Sequence, residues 1–301
     1  MKLFLFILTV CVAFACGPSD TDNSTAVGKN VADSARIEPD QLNITLLLDL
    51  SDRIDTTTHP EKPEHFERDI SIVRYFAELF VKDMKKRGTY LAKGKIKVIF
   101  SPKPLDPNIN LLAEKLSVDL SVLDIKSKKE IHDNLVGTFT DNITKIYSTT
   151  LSHSKWNGSD IWRFFKNDVK DYCIDYNPGY RNILVLLTDG YIYHQDSRDK
   201  AGNRYAYLLP EIISKYNLRR SADWEQEIEK QDFGIISKRN DLENLEVLVL
   251  EISPSPMFKN DEDIIKVVLA KWFKEMKVKR YGMFNSDLPE YTKQRINDFV
   301  K

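Results

Sequence analysis

Apolar residues along this chain fall into short continuous runs that are separated by longer amphipathic stretches. A run without polar alternation is typical of a strand that is covered on both faces of a sheet. Such runs lie at 44–50, 95–101, 182–189 and 245–253, and a further short strand is predicted at 278–283. The stretch 116–122 alternates strictly between apolar and polar residues, which predicts an edge strand with one wet face or, alternatively, a helix.

The amphipathic stretches carry apolar residues at three- and four-residue steps, which is the spacing of one helix face. The first helix begins after Pro63 and ends in a basic turn just before Gly88. Further helices are predicted at 131–146, 159–173, 261–277 and 288–300. Strands that alternate with helices predict an α/β fold with a doubly wound, Rossmann-like sheet that is mostly parallel and carries helices on both faces.

The first residues have the pattern of an export signal. Lys2 precedes an apolar run at 3–15 that is too short to span a bilayer as a helix and is typical of a signal peptide. The run ends in the small residue Ala15 before Cys16, which resembles a bacterial lipobox. We therefore predict a lipoprotein signal peptide at residues 1–15 and lipidation at Cys16, with an ordinary secretory signal as the alternative.

Cysteine usage agrees with this interpretation. The chain contains Cys11, Cys16 and Cys173. Cleavage before Cys16 removes Cys11 and acylation uses Cys16, so Cys173 has no partner for an intramolecular disulfide. Because Cys173 lies in an apolar helical pattern, we expect a buried thiol there rather than a nucleophile.

Residues 16–41 are predicted to form a flexible tether. The stretch 17–41 contains only three larger aliphatic residues, so it cannot bury enough surface to offset its ordering entropy. Its acidic start at 19–22 resembles the export signal of surface lipoproteins in some Gram-negative lineages. The sequence thus predicts a lipoprotein anchored in the bacterial outer membrane, on either its surface or its periplasmic face.

Composition and charge predict a globular domain over residues 42–301. Charged residues make up 30% and hydrophobic residues 42% of the chain, which is the balance of a protein with a buried core. Lys and Arg total 44 while Asp and Glu total 45, and the net charge of -1 gives no global attraction for nucleic acid. We therefore expect a protein partner and a membrane anchor, but no nucleic-acid partner.

Polar residues follow two of the predicted strands. Asp49 lies near the end of the run at 44–50 and Ser51 follows that run. The run at 182–189 ends in Asp189. The carboxyl ends of parallel strands share one edge of a sheet, and ligands bind there. A D-x-S motif after the first strand and a T-D-G motif after a later one resemble a von Willebrand factor type A (vWA) domain.

The resemblance implies a metal-ion-dependent adhesion site assembled from three loops. In such a site, carboxylate and hydroxyl oxygens hold Mg²⁺ and leave one position for a partner's carboxylate. Asp49 and Ser51 match the first loop, Asp189 matches the third, and Ser159 stands where the second loop of the family has a Thr. The segment 190–241 is longer than the loop and helix that the family usually has between these two strands, which implies an insertion on the ligand face.

Arg53 departs from the family pattern, which has a second Ser at this position. A guanidinium donates hydrogen bonds, cannot ligate a metal and repels a nearby cation. We therefore expect Arg53 to pair with Asp49 or Asp189 and to supply the positive charge itself. A Mg²⁺ site with the ligands Asp49, Ser51, Ser159 and Asp189 is the alternative. In a third interpretation these residues only cap loops and helix starts.

Other chemistry-bearing residues lie near these motifs. His59, Glu61, Glu64 and His65 are residue types that ligate zinc, although two prolines interrupt the segment and a solvated loop is the simpler interpretation. His194 follows the T-D-G motif and is expected on the ligand face, either as a functional group or as an ordinary histidine.

Two function classes are compatible with these features. The first is a binding module that engages a protein partner at the strand carboxyl ends. The second is a metal-dependent hydrolase that uses the same carboxylates. The sequence contains no G-x-S-x-G, P-loop, C-x-x-C or H-E-x-x-H motif, so we favour binding over catalysis.

Overall fold

The computed structural model describes residues 40–152, 156, 158–254, 256–258 and 260–301. The predicted signal peptide, Cys16 and nearly all of the predicted tether lie outside the described residues. The strands are β1 (Gln41–Leu48), β2 (Lys95–Phe100), β3 (Ser117–Asp119), β4 (Tyr180–Leu187), β5 (Lys200–Ala201), β6 (Arg204–Tyr205), β7 (Gly234–Ile235), β8 (Leu245–Ile252) and β9 (Arg280–Asn285). The α-helices are α1 (His65–Arg87), α2 (Pro107–Glu114), α3 (Ile125–Ser152), α4 (Ile161–Arg163), α5 (Val169–Cys173), α6 (Pro210–Lys215), α7 (Trp224–Lys230), α8 (Asp261–Glu275) and α9 (Pro289–Val300).

Six of these strands form one sheet in the order β3-β2-β1-β4-β8-β9. Every pairing in it is parallel except that of β3 with β2 at the edge. From β1 the chain runs outward to β2 and β3, and it then returns to the other side of β1 as β4. The direction of strand order therefore changes between β1 and β4, which is where ligands bind in open α/β sheets.

Helices cover both faces of this sheet because successive residues of a strand point to opposite sides. Ile44, Leu46 and Leu48 of β1 join a buried cluster that also contains Phe76 of α1 and Phe139 of α3. Leu47 joins a second cluster, which includes residues of α8. The predicted α/β class, the mostly parallel sheet and the helices on both faces are therefore confirmed.

Some predicted elements have different bounds or were missed. The edge strand expected over 116–122 pairs only at Ser117–Asp119, because the Asp119 side chain accepts a hydrogen bond from the Ser121 backbone and begins a 3₁₀ turn. The helix predicted over 159–173 is interrupted by a π-helical turn at Phe164–Asp168. Helix α2 was not predicted at all.

The segment 190–241 folds onto the sheet rather than projecting from it. It contains α6 and α7 and the small three-stranded sheet β5-β6-β7. Its apolar side chains belong to the same buried cluster as α8; these include Tyr205, Leu208, Ile213, Ile228 and Phe233. Among the helices described, none combines the length and the apolar character needed to cross a membrane.

Candidate functional site

The carboxyl ends of β1 and β4 are joined by a hydrogen bond between side chains. Asp49 follows β1 and is 2% exposed, and its backbone N–H donates to the carbonyl of Leu187 at 3.1 Å. Its Oδ1 accepts from the Ser51 N–H at 2.9 Å, and its Oδ2 accepts from the Thr188 hydroxyl at 3.2 Å. Asp49 therefore closes its own turn with one oxygen and holds the neighbouring strand end with the other.

Asp189 occupies the next position after Thr188 and is half-buried. Its Oδ1 accepts from the Tyr191 N–H at 2.9 Å. Burial, followed by the negative charge of Asp49, raises the pKa of Asp189 to about 7, while Arg53 acts in the opposite direction. The two strand-end aspartates thus interact electrostatically, and Asp189 exchanges its proton near neutral pH.

Gly190 makes the turn after Asp189 sterically feasible. Its φ is +96°, in the region that favours glycine. A Cβ at this position would lie 2.7 Å from Cγ2 of Ile265 in α8, which is too close for any side chain. The T-D-G motif therefore has a structural basis in the packing of α8 against the end of β4.

Arg53 lies beneath the strand ends, in a single 3₁₀ turn at Asp52–Ile54, and is 1% exposed. Its Nη2 forms an ion pair with Asp69 of α1, and its Nε donates to the backbone carbonyl of Asp49 at 3.2 Å. The ion pair expected with Asp49 or Asp189 is therefore made with Asp69 instead, because α1 packs its buried face directly against this turn. The positive charge still acts on Asp49 and Asp189, since it lowers the pKa of both carboxyls against the effect of burial.

Tyr147 of α3 completes this ion pair. Its hydroxyl donates to Asp69 Oδ2 at 2.5 Å, and both residues are fully buried. Burial and then the charge of Asp69 raise the pKa of Tyr147 well above its usual value, so the phenol remains a donor. Residues from the β1 loop, α1 and α3 are thus connected around one carboxylate.

A second buried pair lies beside the first. Arg68 Nε donates to Glu251 Oε2 at 2.6 Å, and Arg68 Nη2 lies 2.8 Å from His65 Nδ1. Glu251, near the end of β8, has a φ of +72°, which is uncommon for a residue with a side chain. Burial and the charge of Asp69 raise the pKa of Glu251 to about 7.

The strand-end aspartates and the two buried ion pairs below them contain more acidic than basic groups. The carboxyl groups are Asp49, Asp69, Asp189 and Glu251, and the guanidiniums are Arg53 and Arg68. In the described part of the chain, three buried polar atoms of this set lack a hydrogen-bond partner: Arg53 Nη1, Asp69 Oδ1 and Glu251 Oε1. Because unpaired buried charge is costly, the excess negative charge is met by protons or by a cation.

Ser159 lies one strand away from Asp49. It is buried, and its hydroxyl donates to the carbonyl of Ser101, just after β2, at 3.4 Å. The hydrogen bonds of the described residues do not connect Ser159 with Asp49 or Asp189. Thr188 is instead the hydroxyl that contacts Asp49, and sequence analysis did not assign it this role.

His194 belongs to a separate polar cluster. It is 6% exposed, and its Nδ1 lies 3.3 Å from Asp160 Oδ2. The same Asp160 oxygen accepts from the Ser197 hydroxyl at 2.8 Å. Ser197 therefore donates to the carboxylate and not to the imidazole, so these three residues are not arranged as a nucleophile with its base.

Cys173 is buried, as the sequence predicted. Burial raises the pKa of its thiol to about 12. The thiol is therefore protonated at physiological pH and is not an activated nucleophile.

Asp69 and Tyr147 were missed by sequence analysis, although a signal exists for both. Asp69 occupies the same helix face as Ile72, Val73 and Phe76, all of which are buried. A charged residue within an apolar stripe requires a buried partner. Tyr147 lies one residue after Ile146 on the buried face of α3, where a phenol also needs a hydrogen-bond partner.

The oxygen donors of Asp49, Ser51, Thr188 and Asp189 are of the types that Mg²⁺ binds. Arg53 contributes a permanent positive charge directly below them, which works against a divalent cation. No protein-family model matches the chain, and no curated protein is similar enough to count as a relative.

Proposed function

We propose that this protein is a lipoprotein, anchored at Cys16 in the bacterial outer membrane, whose vWA-like α/β domain binds a protein partner at the carboxyl ends of β1 and β4. The observation that carries the proposal is the position of Asp49 and Asp189 at the change of strand order, where the charge of Asp49 raises the pKa of Asp189. The D-x-S and T-D-G motifs support the family part of the proposal, and the apolar run before Cys16 supports the anchor.

Arg53 is the resident cation in this proposal. Its guanidinium binds Asp69 and the backbone carbonyl of Asp49, and from there its charge lowers the pKa of both strand-end carboxyls against the effect of burial. A site that already contains this charge does not require a metal for its assembly. Mg²⁺ bound by Asp49, Ser51, Ser159 and Asp189 is the alternative.

The charge of the accessible groups indicates which partner side chain fits. Asp52 is exposed, Asp189 and Ser51 are half-buried, and the charge of Asp52 raises the pKa of Asp189. All three groups accept hydrogen bonds and the two carboxyls supply negative charge, whereas Arg53 is buried. A basic side chain of the partner therefore complements the metal-free site, while a carboxylate would complement a site that holds Mg²⁺.

A capture experiment tests the proposal. The fragment 40–301 contains every strand and helix described and would be immobilised and exposed to envelope extract of the source bacterium, with and without a chelator. We expect a specific partner to be retained in both conditions by the wild type and lost with Asp189→Asn. The matched control Glu243→Gln changes an exposed carboxyl just before β8 and should retain the partner.

Three other outcomes contradict this proposal. Loss of the partner with the chelator alone would favour the Mg²⁺ site over Arg53. Turnover of a phosphoester, glycoside or peptide substrate that disappears in Asp49→Asn would favour the hydrolase. Retention of the partner by Asp189→Asn would exclude this edge of the sheet as the binding surface.

A further inference from the structure

The loop before α1 brings three potential metal ligands together. One ligand atom from each of His59, Glu61 and His65 lies within 4.8 Å of the other two. The two imidazole rings stand almost perpendicular, at 84°, with centroids 5.6 Å apart. Two imidazoles and a carboxylate form the donor set that binds zinc at sites that keep a position open for water.

Local hydrogen bonds hold this loop in place. The His59 N–H donates to the carbonyl of Asp55 at 2.9 Å, and Asp55 Oδ1 accepts from the Thr57 N–H at 2.9 Å. His65 is the first residue of α1 and is buried. Both histidines are therefore attached to ordered backbone, and Glu61 lies between them on an exposed segment.

Glu64 does not belong to the ligand set, although it is a neighbour in sequence. It is the N-cap of α1, where its carboxylate accepts from the backbone of Glu67 while Glu67 Oε2 accepts from the Glu64 N–H at 2.9 Å. Its carboxylate also pairs with Lys62. The fold thus separates two glutamates that the sequence could not distinguish.

We propose that His59, Glu61 and His65 bind a zinc-class divalent transition metal, with water in the fourth position. None of its three ligands is a strand-end residue, and the site does not depend on the proposed function. Its nitrogen donors favour zinc, cobalt or nickel over Mg²⁺, which takes oxygen ligands.

Binding requires a modest closure of the three side chains. Bond lengths of about 2.0–2.1 Å in a tetrahedral site place ligand atoms roughly 3.4 Å apart, which is closer than the 4.8 Å limit observed. Glu61 is exposed and His59 is half-buried, so these two side chains have room to move toward the buried His65.

The hydrogen bond from Arg68 decides which ring nitrogen of His65 carries the proton, and metal binding must change that arrangement. Arg68 Nη2 lies 2.8 Å from His65 Nδ1, and since a guanidinium only donates, Nδ1 accepts and the neutral ring carries its proton on Nε2. For a metal to bind Nε2, that proton moves through solvent to Nδ1 and Arg68 releases this nitrogen. Arg68 keeps its bond to Glu251 through Nε. Because this rearrangement opposes binding, we expect micromolar affinity.

Calorimetric titration of the purified protein with ZnCl₂, after treatment with a chelator, tests the site. We expect one zinc per chain for the wild type and at least about a tenfold loss of affinity in His59→Ala and in Glu61→Gln. Both residues are on the surface loop, so the variants should fold. The control His132→Ala removes an exposed histidine on α3 and should bind zinc normally.

Cobalt provides a second readout, because tetrahedral Co²⁺ absorbs visible light strongly whereas six-coordinate Co²⁺ does not. The wild type and the control His132→Ala should both give the tetrahedral spectrum, whereas His59→Ala should not. The proposal is overturned if zinc binds only at millimolar concentrations, or if His59→Ala and Glu61→Gln bind it as tightly as the wild type.

Discussion

Arg53 and Asp69 form an ion pair that is closed off from solvent, with exposed fractions of 1% and 0%, directly below the carboxyl ends of β1 and β4. Buried ion pairs contribute little net stability when compared with apolar residues of the same size, yet the loss of one partner is costly. This asymmetry makes the pair a structural requirement of the site, since Asp69 cannot remain charged and buried without Arg53.

The substitution Arg53→Ser should therefore lower the free energy of unfolding by about 3–5 kcal/mol, because it leaves Asp69 without its cation. Urea denaturation measures the change. The control Arg74→Ser breaks an exposed ion pair with Glu78 on α1, the helix that also carries Asp69. It should cost no more than about 0.5 kcal/mol. Added Mg²⁺ should stabilise Arg53→Ser but not the wild type, because the variant has a new hydroxyl and an uncompensated negative charge. Similar stability losses in the two variants would argue against a special role for the pair.

Tyr147→Phe tests the hydrogen bond from the phenol to Asp69. Because removal of the hydroxyl leaves a buried carboxylate oxygen with one donor fewer, we expect a loss of about 1–3 kcal/mol in unfolding free energy. Tyr90→Phe, at a side chain that is 76% exposed, is the control and should be neutral. A neutral result for Tyr147→Phe would mean that Arg53 alone satisfies Asp69.

Asp189 should make stability depend on pH in a defined direction. Its pKa is raised to about 7 in the folded protein, against about 3.9 in an unfolded chain, so the folded state binds the extra proton between these values. The stability that this proton contributes is fully present below about pH 4 and is lost as the pH rises through 7.

Asp189→Asn removes this contribution, so the variant should gain stability relative to the wild type between pH 5 and pH 8, by about 2–3 kcal/mol. Urea denaturation of both proteins at the two pH values measures the difference in their unfolding free energies. The contributions of the other carboxyls cancel because both proteins contain them. Glu243→Gln is the matched control and should leave the difference near zero. A variant whose relative stability falls toward pH 8 would contradict the raised pKa.

Thr188→Val removes the hydroxyl that joins β4 to Asp49 and that also accepts from the Gly190 N–H at 3.2 Å. We expect a loss of about 1–3 kcal/mol in stability and weaker partner capture, since the Asp49 carboxylate is no longer held by the end of β4. Thr188→Ser keeps the hydroxyl and should preserve capture. Equal capture by both variants would show that the link is dispensable for binding.

Cys16→Ala tests the membrane anchor. The substitution should leave unprocessed precursor or a soluble form, since Cys16 is the predicted acceptor of the lipid. Mass spectrometry of the mature wild-type protein should find acyl chains on its first residue. An N-terminus without lipid would remove the outer-membrane part of the proposal and leave the α/β domain unaffected.

The sequence by itself determined the architecture of this protein. The apolar run at 183–187 shows no polar alternation, which is typical of a strand covered on both faces, and it forms the interior of β4. Helical spacing between the runs then required a mostly parallel sheet, and Asp49 and Asp189 had to lie at one edge of it. These results follow from local periodicity, which depends on neighbours only a few residues apart.

The tertiary structure decided which groups meet. Leu48 pairs with Leu187 across 139 residues of chain, and this register brings Thr188 to Asp49. Arg53 pairs with Asp69 rather than with a strand-end aspartate because α1 packs its buried face against the turn that carries Arg53. Sequence spacing contains no information on such contacts, since they arise from packing between elements that are distant along the chain.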